Sequence, residues 1–166
     1  AFVATHAADP IIRDGLITGL FGRELEFLQR AGTLPEWREP DSGRQALLRA
    51  LAGCVARQRD PARLGRLLRL AAAQPALRRT LLDGLISAAF PRGRALKPVV
   101  FQTQPQAMAR LAALPNMTAR VQRLQKFITW GETAMPLPPP RAFTPAEQKS
   151  YDLGKILYQA TCAACH

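Results

Sequence analysis

The sequence predicts an all-α chain: stacked helix pairs, a proline-rich linker, then one further helix. Three observations carry this. Apolar residues recur at helical spacing through the first 130 residues. One motif, R-x-x-L-[IL]-x-[small]-L, returns at intervals of 31 and 34 residues. Strand signals are nearly absent; Pro98-Val99-Val100-Phe101 is the only short candidate, and it reads as loop.

The three copies begin at Arg13, Arg44 and Arg78. Pro10 and Pro75 each stand three residues before the aligned arginine, where a proline suits the first turn of a helix. Leu47, Leu48, Leu51, Cys54 and Val55 fall on one helical face, and Leu77, Leu81, Leu82, Leu85 and Ile86 repeat it. The small residues Gly19, Ala50 and Gly84 are expected where neighbouring helices approach. Val121, Leu124, Phe127 and Ile128 form a weak fourth copy.

Second helices are expected at Arg23 to Ala31, Pro61 to Ala73 and Pro105 to Leu114. Asp60-Pro61 supplies an N-cap followed by a first-turn proline. Leu64, Leu67, Leu68 and Ala71 form the partner face. Such pairs cannot bury their apolar stripes alone, so they stack. Residues 9–130 are expected to hold seven or eight helices in antiparallel pairs with a right-handed superhelical sense.

Residues 1–130 are the repeat region and residues 131–143 the linker. Pro136, Pro138, Pro139 and Pro140 favour extended polyproline geometry there. Residues 144–166 open on Thr144-Pro145-Ala146-Glu147, a capping box with proline at the first helical position. The helix so begun is expected to run to about Cys162. Its apolar face of Leu153, Ile156 and Leu157 is expected to pack near Val121 and Phe127.

The chain ends Cys162-Ala163-Ala164-Cys165-His166, the C-x-x-C-H attachment signature of c-type haem. Two thiols three residues apart can add to both vinyl groups of one porphyrin. The adjacent imidazole then ligates the iron from the proximal side. A thioredoxin-type dithiol would follow a strand and precede a helix, whereas here a helix comes first. A zinc site would need a fourth ligand, and His6 and Cys54 are the only other His and Cys. Of these, Cys54 reads as a buried small hydrophobe and His6 as an exposed residue. Trp37 and Trp130 read as caps on the ends of the stack. Met108, Met117 and Met135 are not expected to ligate haem.

Net charge is +11 and unevenly spread. Residues 1–41 hold four Arg against seven acids, whereas residues 44–94 hold eleven Arg against Asp60 and Asp83. Such a stripe can bind an acidic protein, nucleic acid or anionic lipid. The reading favoured here is a solvated arginine face, so nucleic acid is the disfavoured partner. On that reading charge reversal at Arg63 and Arg66 leaves folding nearly unchanged; on the binding reading Arg63, Arg66 and Arg69, with Arg78 and Arg79 next door, hold the acidic protein or nucleic acid. No transmembrane run or signal peptide is visible.

A repeat region, a proline linker, T-P-A-E-Q, then G-K-I-L-Y-Q-A-T-C-A-A-C-H: this order resembles a group of large bacterial haem-binding proteins. In that group a sorbosone-dehydrogenase-like propeller precedes HEAT-like repeats and a C-terminal class I cytochrome c domain. D-P-I-I-R-D-G-L-I-T-G-L and G-R-E-L-E-F-L look like that group's repeats. Gly154 and Tyr158 match the Gly-x-x-x-aromatic pattern before the haem cysteines, where the small residue admits a crossing C-terminal helix. The resemblance implies that this chain is an internal piece of a larger exported, periplasmic protein. Its dehydrogenase domain would lie upstream, and the cytochrome domain would be cut after its first helix. It implies haem c on Cys162 and Cys165, His166 as proximal ligand, a methionine beyond residue 166 as distal ligand, and a redox partner protein. A piece ending at the motif is not expected to enclose a porphyrin, so haem is expected in the full-length parent. No catalytic residue is visible. The alternative function is a helical-repeat binding module for an acidic protein or nucleic acid.

Overall fold

The computed structural model describes residues 2–93, 96–131 and 141–161, and it is mostly helical. Residues 1–134 form one compact unit and residues 135–166 a second. The first unit opens with the short helix α1 (Phe2–His6) and continues through α2 (Pro10–Gly19), α3 (Glu24–Ala31), α4 (Ser42–Gln58) and α5 (Pro61–Ala73). Helices α6 (Pro75–Ala89), α7 (Gln106–Ala112) and α8 (Thr118–Gln125) follow. Strands β1 (Val99–Phe101) and β2 (Ile128–Trp130) complete the unit, and α9 (Pro145–Thr161) belongs to the second.

Aspartate and proline set the helix starts. The Asp9 carboxylate accepts from the amides of Ile11 and Ile12 at 2.8 and 3.3 Å, and Asp60 does the same for Ala62 and Arg63. Asp41 accepts from the Arg44 amide at 2.8 Å. These contacts satisfy donors that have no carbonyl partner in a first turn. The Arg44 amide is the largest influence holding the Asp41 carboxyl below its usual range. Helix α4 stops at Arg59, whose φ of 56° is left-handed.

Alternate helices pack in two layers. In one, α4 lies between α2 and α6, and α6 also meets α8; in the other, α5 lies between α3 and α7. Between these neighbours the apolar stripes of α4, α5 and α6 are buried. Leu47, Leu48 and Leu51 of α4 and Leu81, Leu82 and Leu85 of α6 are fully buried at this crossing. Gly84 makes it possible. A Cβ at that position would stand 2.2 Å from the Arg49 carbonyl oxygen, so only glycine lets the two backbones come this close. Ion pairing and ring contacts hold α8 on α6: Arg120 Nε reaches Asp83 Oδ1 at 2.7 Å, and the Arg123 guanidinium stacks 5.0 Å from the Phe90 ring.

The expected roles of the other small residues differ. A Cβ at Gly19 would meet nothing within 4 Å, and no residue of α2 is fully buried. The first copy of the motif therefore lies on a thinly covered helix, and the repeat consensus overstated its burial.

Two expectations are corrected around residues 98–101. Val99–Phe101 is a strand rather than a loop, paired in parallel with Ile128–Trp130, with Val99 opposite Ile128. The Val99 amide donates to the Phe127 carbonyl at 2.7 Å. The weak fourth copy breaks in the same place. Val121 and Leu124 lie on α8, but that helix ends at Gln125 and Ile128 begins β2. Three residues are too few for a period-two pattern, and each strand finds its partner 29 residues away, beyond the reach of local pattern. The pair joins the core of the helical layers through Val99 and Ile128, both buried.

Two substitutions measure the crossing. Leu81→Ala removes a fully buried side chain and is expected to cost about 2–5 kcal/mol in urea unfolding. Gly84→Ala adds a single methyl where the Arg49 carbonyl stands and is expected to cost roughly 1–3 kcal/mol. A neutral Gly84→Ala would show that the α4–α6 crossing relaxes freely.

Candidate functional site

Cys162, Cys165 and His166 lie outside the described residues, as do Met135 and linker residues 132–140. The structure does describe the helix that leads to them. The capping box at its start is closed in both directions. The Thr144 amide donates to Glu147 Oε2 at 2.9 Å, and the Glu147 amide donates to Thr144 Oγ1 at 3.3 Å. Arg141 adds a clamp, with Nη1 donating to Glu147 Oε2 at 2.7 Å and Nη2 to Oε1. The Arg141 guanidinium, then the Thr144 amide and hydroxyl, push the Glu147 carboxyl down to about 2.

Along α9 the apolar side chains Tyr151, Leu153, Ile156, Leu157 and Tyr158 are each at least half exposed. The face of Leu153, Ile156 and Leu157, expected to be packed, is exposed. Val121 and Phe127 are buried within the first unit. A Cβ on Gly154 would meet nothing within 4 Å. Gly154 and Tyr158 lie one turn apart on α9.

The remaining candidates resolve as follows. Cys54 is half-buried rather than buried, and burial raises its thiol pKa, with Arg57 opposing the shift. A thiol in that state is a poor nucleophile. Met108 is core, and Met117 packs against the core from a half-buried position. Trp37 is buried, with its ring edge-on to Phe27 at 5.6 Å, whereas Trp130 belongs to β2. His6 is exposed on the last turn of α1. Among the described residues no three His, Cys, Asp or Glu side chains gather to hold a metal ion, and no helix is long and apolar enough to cross a membrane.

The arginine stripe divides into two kinds. Arg63 is not a solvated surface residue: its Nη2 donates to Glu24 Oε2 at 2.7 Å, and Nη1 donates to the Gly22 carbonyl at 2.9 Å. Glu24 is only 2% exposed, and its other oxygen accepts from Gln58 at 3.0 Å. A buried carboxylate needs this pairing, and the pair ties α3 to α5. Arg78 is structural as well. It donates from Nε to the Ala71 carbonyl and from Nη2 to the Ala72 carbonyl, capping the end of α5. Arg66 and Arg69 remain exposed, as does Arg79, which lies 3.9 Å from Asp83. The sequence carried a signal for Glu24 only in being an acid at a helix start; its burial depends on Arg63, 39 residues later.

The division is measurable. Arg63→Ala strands the buried Glu24 carboxylate and is expected to lower stability by roughly 1–3 kcal/mol in urea unfolding, with Gln58 still in place. Arg66→Ala should stay within about 0.5 kcal/mol. A second expectation concerns pH. A carboxyl whose folded pKa is depressed stabilises its helix above the unfolded value, near 4.5, and that contribution is lost as pH falls toward about 2. The Glu147 and Gln148 amide resonances should therefore move over that window, with fraying of the first turn of α9, and Arg141→Ala should raise the midpoint.

No family model, curated protein or solved structure matches the chain.

Proposed function

We propose that this chain serves electron transfer through haem c, held by thioether bonds to Cys162 and Cys165 with His166 as proximal ligand. It acts within a larger exported, dehydrogenase-type protein. The observation that carries the reading is the C-x-x-C-H run directly after α9. Two thiols and an imidazole in this order are the donor set that covalent haem requires. When bound, the haem supplies a one-electron iron couple. The chain's own part is to hold the group. Cys162 and Cys165 fix it covalently, and the His166 imidazole sets the proximal side. The Thr144–Glu147 box and Arg141 define where the preceding helix begins.

The repeat region is read as a HEAT-like scaffold. The recurring motif, the Asp and Pro helix starts and the alternate layering of α2, α4 and α6 against α3, α5 and α7 support that reading. The electron source is a dehydrogenase domain of the same protein, and the acceptor is a redox partner protein. Thioether attachment of haem takes place outside the cytoplasm, so the protein is exported, to the periplasm in a bacterium with two membranes. The exposed Leu153 and Ile156, with open space at Gly154, support a helix made to receive a further helix.

The test is covalent attachment. Expressed with an export signal in a host that matures c-type cytochromes, the full-length protein should give a haem-stained band on a denaturing gel and sharp α and β bands on reduction. Cys162→Ala with Cys165→Ala should abolish the stained band. A band that persists in the double variant, with no second C-x-x-C-H run in the expressed protein, would overturn the assignment.

A further inference from the structure

We propose that the first unit binds an extended acidic segment of a partner protein, in the groove between α5 and residues 100–107, as an added strand along the open edge of β1. The groove has a volume of about 1000 Å³. Arg66 and Arg69 of α5 form one wall, and Val100, Phe101 and the polar run from Gln102 to Gln104 form the other. Phe101 packs against the bare backbone of Gly65, where a Cβ would meet its ring at 3.5 Å.

Charge selects the occupant. Asp60 and Arg63 also line the groove, but both are committed. Asp60 caps α5, and Arg63 neutralises Glu24. With Arg63 paired to Glu24, the lining carries Arg66 and Arg69, three residues apart on one helix face and both exposed, against the single carboxylate of Asp60. Guanidinium groups so placed pair with carboxylates. Two exposed cations beside a strand edge fit a short acidic strand. A nucleic acid would need a longer cationic track along its phosphates.

Backbone geometry selects the mode. The Val99 amide is bonded to β2, so the alternation of a parallel ladder turns the N–H and C=O of Val100 to the opposite edge. Val100 is 37% exposed and lines the groove. An accessible strand edge is where an extended peptide adds. The edge exists because residues 90–105 are inserted between α6 and α7. By contrast, Arg59 and Asp60 alone separate α4 from α5, and Gln74 alone separates α5 from α6. Insertions in a repeat stack collect on one face, often the binding face. The proposal uses residues of the first unit alone and does not depend on the haem reading.

A fluorescein-labelled octapeptide of alternating Glu and Val, titrated with the full chain and followed by fluorescence anisotropy, tests it. A Lys–Val octapeptide and a labelled single-stranded oligothymidylate serve as comparisons. Saturable binding of the acidic peptide is expected, weakened on the order of ten-fold by Arg66→Glu with Arg69→Glu. Val100→Pro removes the edge N–H at a position where an edge strand tolerates proline, and a several-fold loss is expected with the helical circular dichroism unchanged. If Val100→Pro disturbs folding, the charge-reversed variant still tests the groove by itself. No saturable binding, binding untouched by charge reversal, or tighter binding of the oligothymidylate would overturn the proposal. Full binding by a folded Val100→Pro variant would overturn strand addition.

Discussion

The first unit depends on how closely α4 can lie on α6. That approach is set by one missing methyl group at Gly84, against the Arg49 carbonyl. Where the backbones touch, Leu47, Leu48 and Leu51 of α4 and Leu81, Leu82 and Leu85 of α6 are all shut away from water. Everything else is laid against it. Helices α3 and α5 pack on α4, α5 also packs on α6, and α8 reaches α6 through Arg120 and Arg123. The α4–α6 crossing has helices packed on both sides, whereas α2 lies at the end of the layer. The exposed, thinly covered α2 shows the other extreme.

Electrostatics enters where the apolar pattern cannot act. Glu24 sits in a nearly dry position between α3 and α5, and its charge is tolerated only through Arg63 and Gln58. Breaking such a pair costs more than its presence contributes, because the desolvated partner remains. Arg78 plays the equivalent part for the carbonyls that end α5. The strong positive charge of residues 44–94 therefore combines two functions that composition adds together: arginines consumed by the fold, and arginines left on its surface.

Much of the helical order was legible in the sequence. Pro10, Pro61 and Pro75 mark the first residues of α2, α5 and α6, and Ala73 closes α5 where its apolar pattern ends. Local chemistry decides these features: a fixed proline φ, an aspartate within reach of first-turn amides, a stripe at 3.6-residue spacing. What stayed hidden depends on partners distant in sequence. The β1–β2 ladder joins residues 29 apart, Glu24 meets Arg63 across 39, and the value of Gly84 over Gly19 is set by what lies opposite each. The capping box of α9 was legible, but the Arg141 clamp on Glu147, from outside the helix, was not part of that motif.

The haem reading and the state of α9 bear on each other through helix stability. A helix of 17 residues is only just longer than the roughly 12–15 residues below which isolated helices are marginal in water, and β-branched or aromatic residues such as Ile156, Tyr151 and Tyr158 lower its propensity. The Thr144–Glu147 box and its arginine clamp stabilise the first turn, and the tilted contact of Phe143 with Tyr151, at 5.5 Å, adds local cover. Neither reaches Leu153 or Ile156, which stay more than half exposed in mid-helix. Helical stability in proteins comes mainly from burying such a stripe. On the proposed function the residues immediately beyond the helix hold a large apolar macrocycle, so a haem-bearing fold would supply cover beside this stripe. That coincidence of an exposed stripe with a C-x-x-C-H run supports α9 as the opening helix of a haem domain over a free-standing spacer.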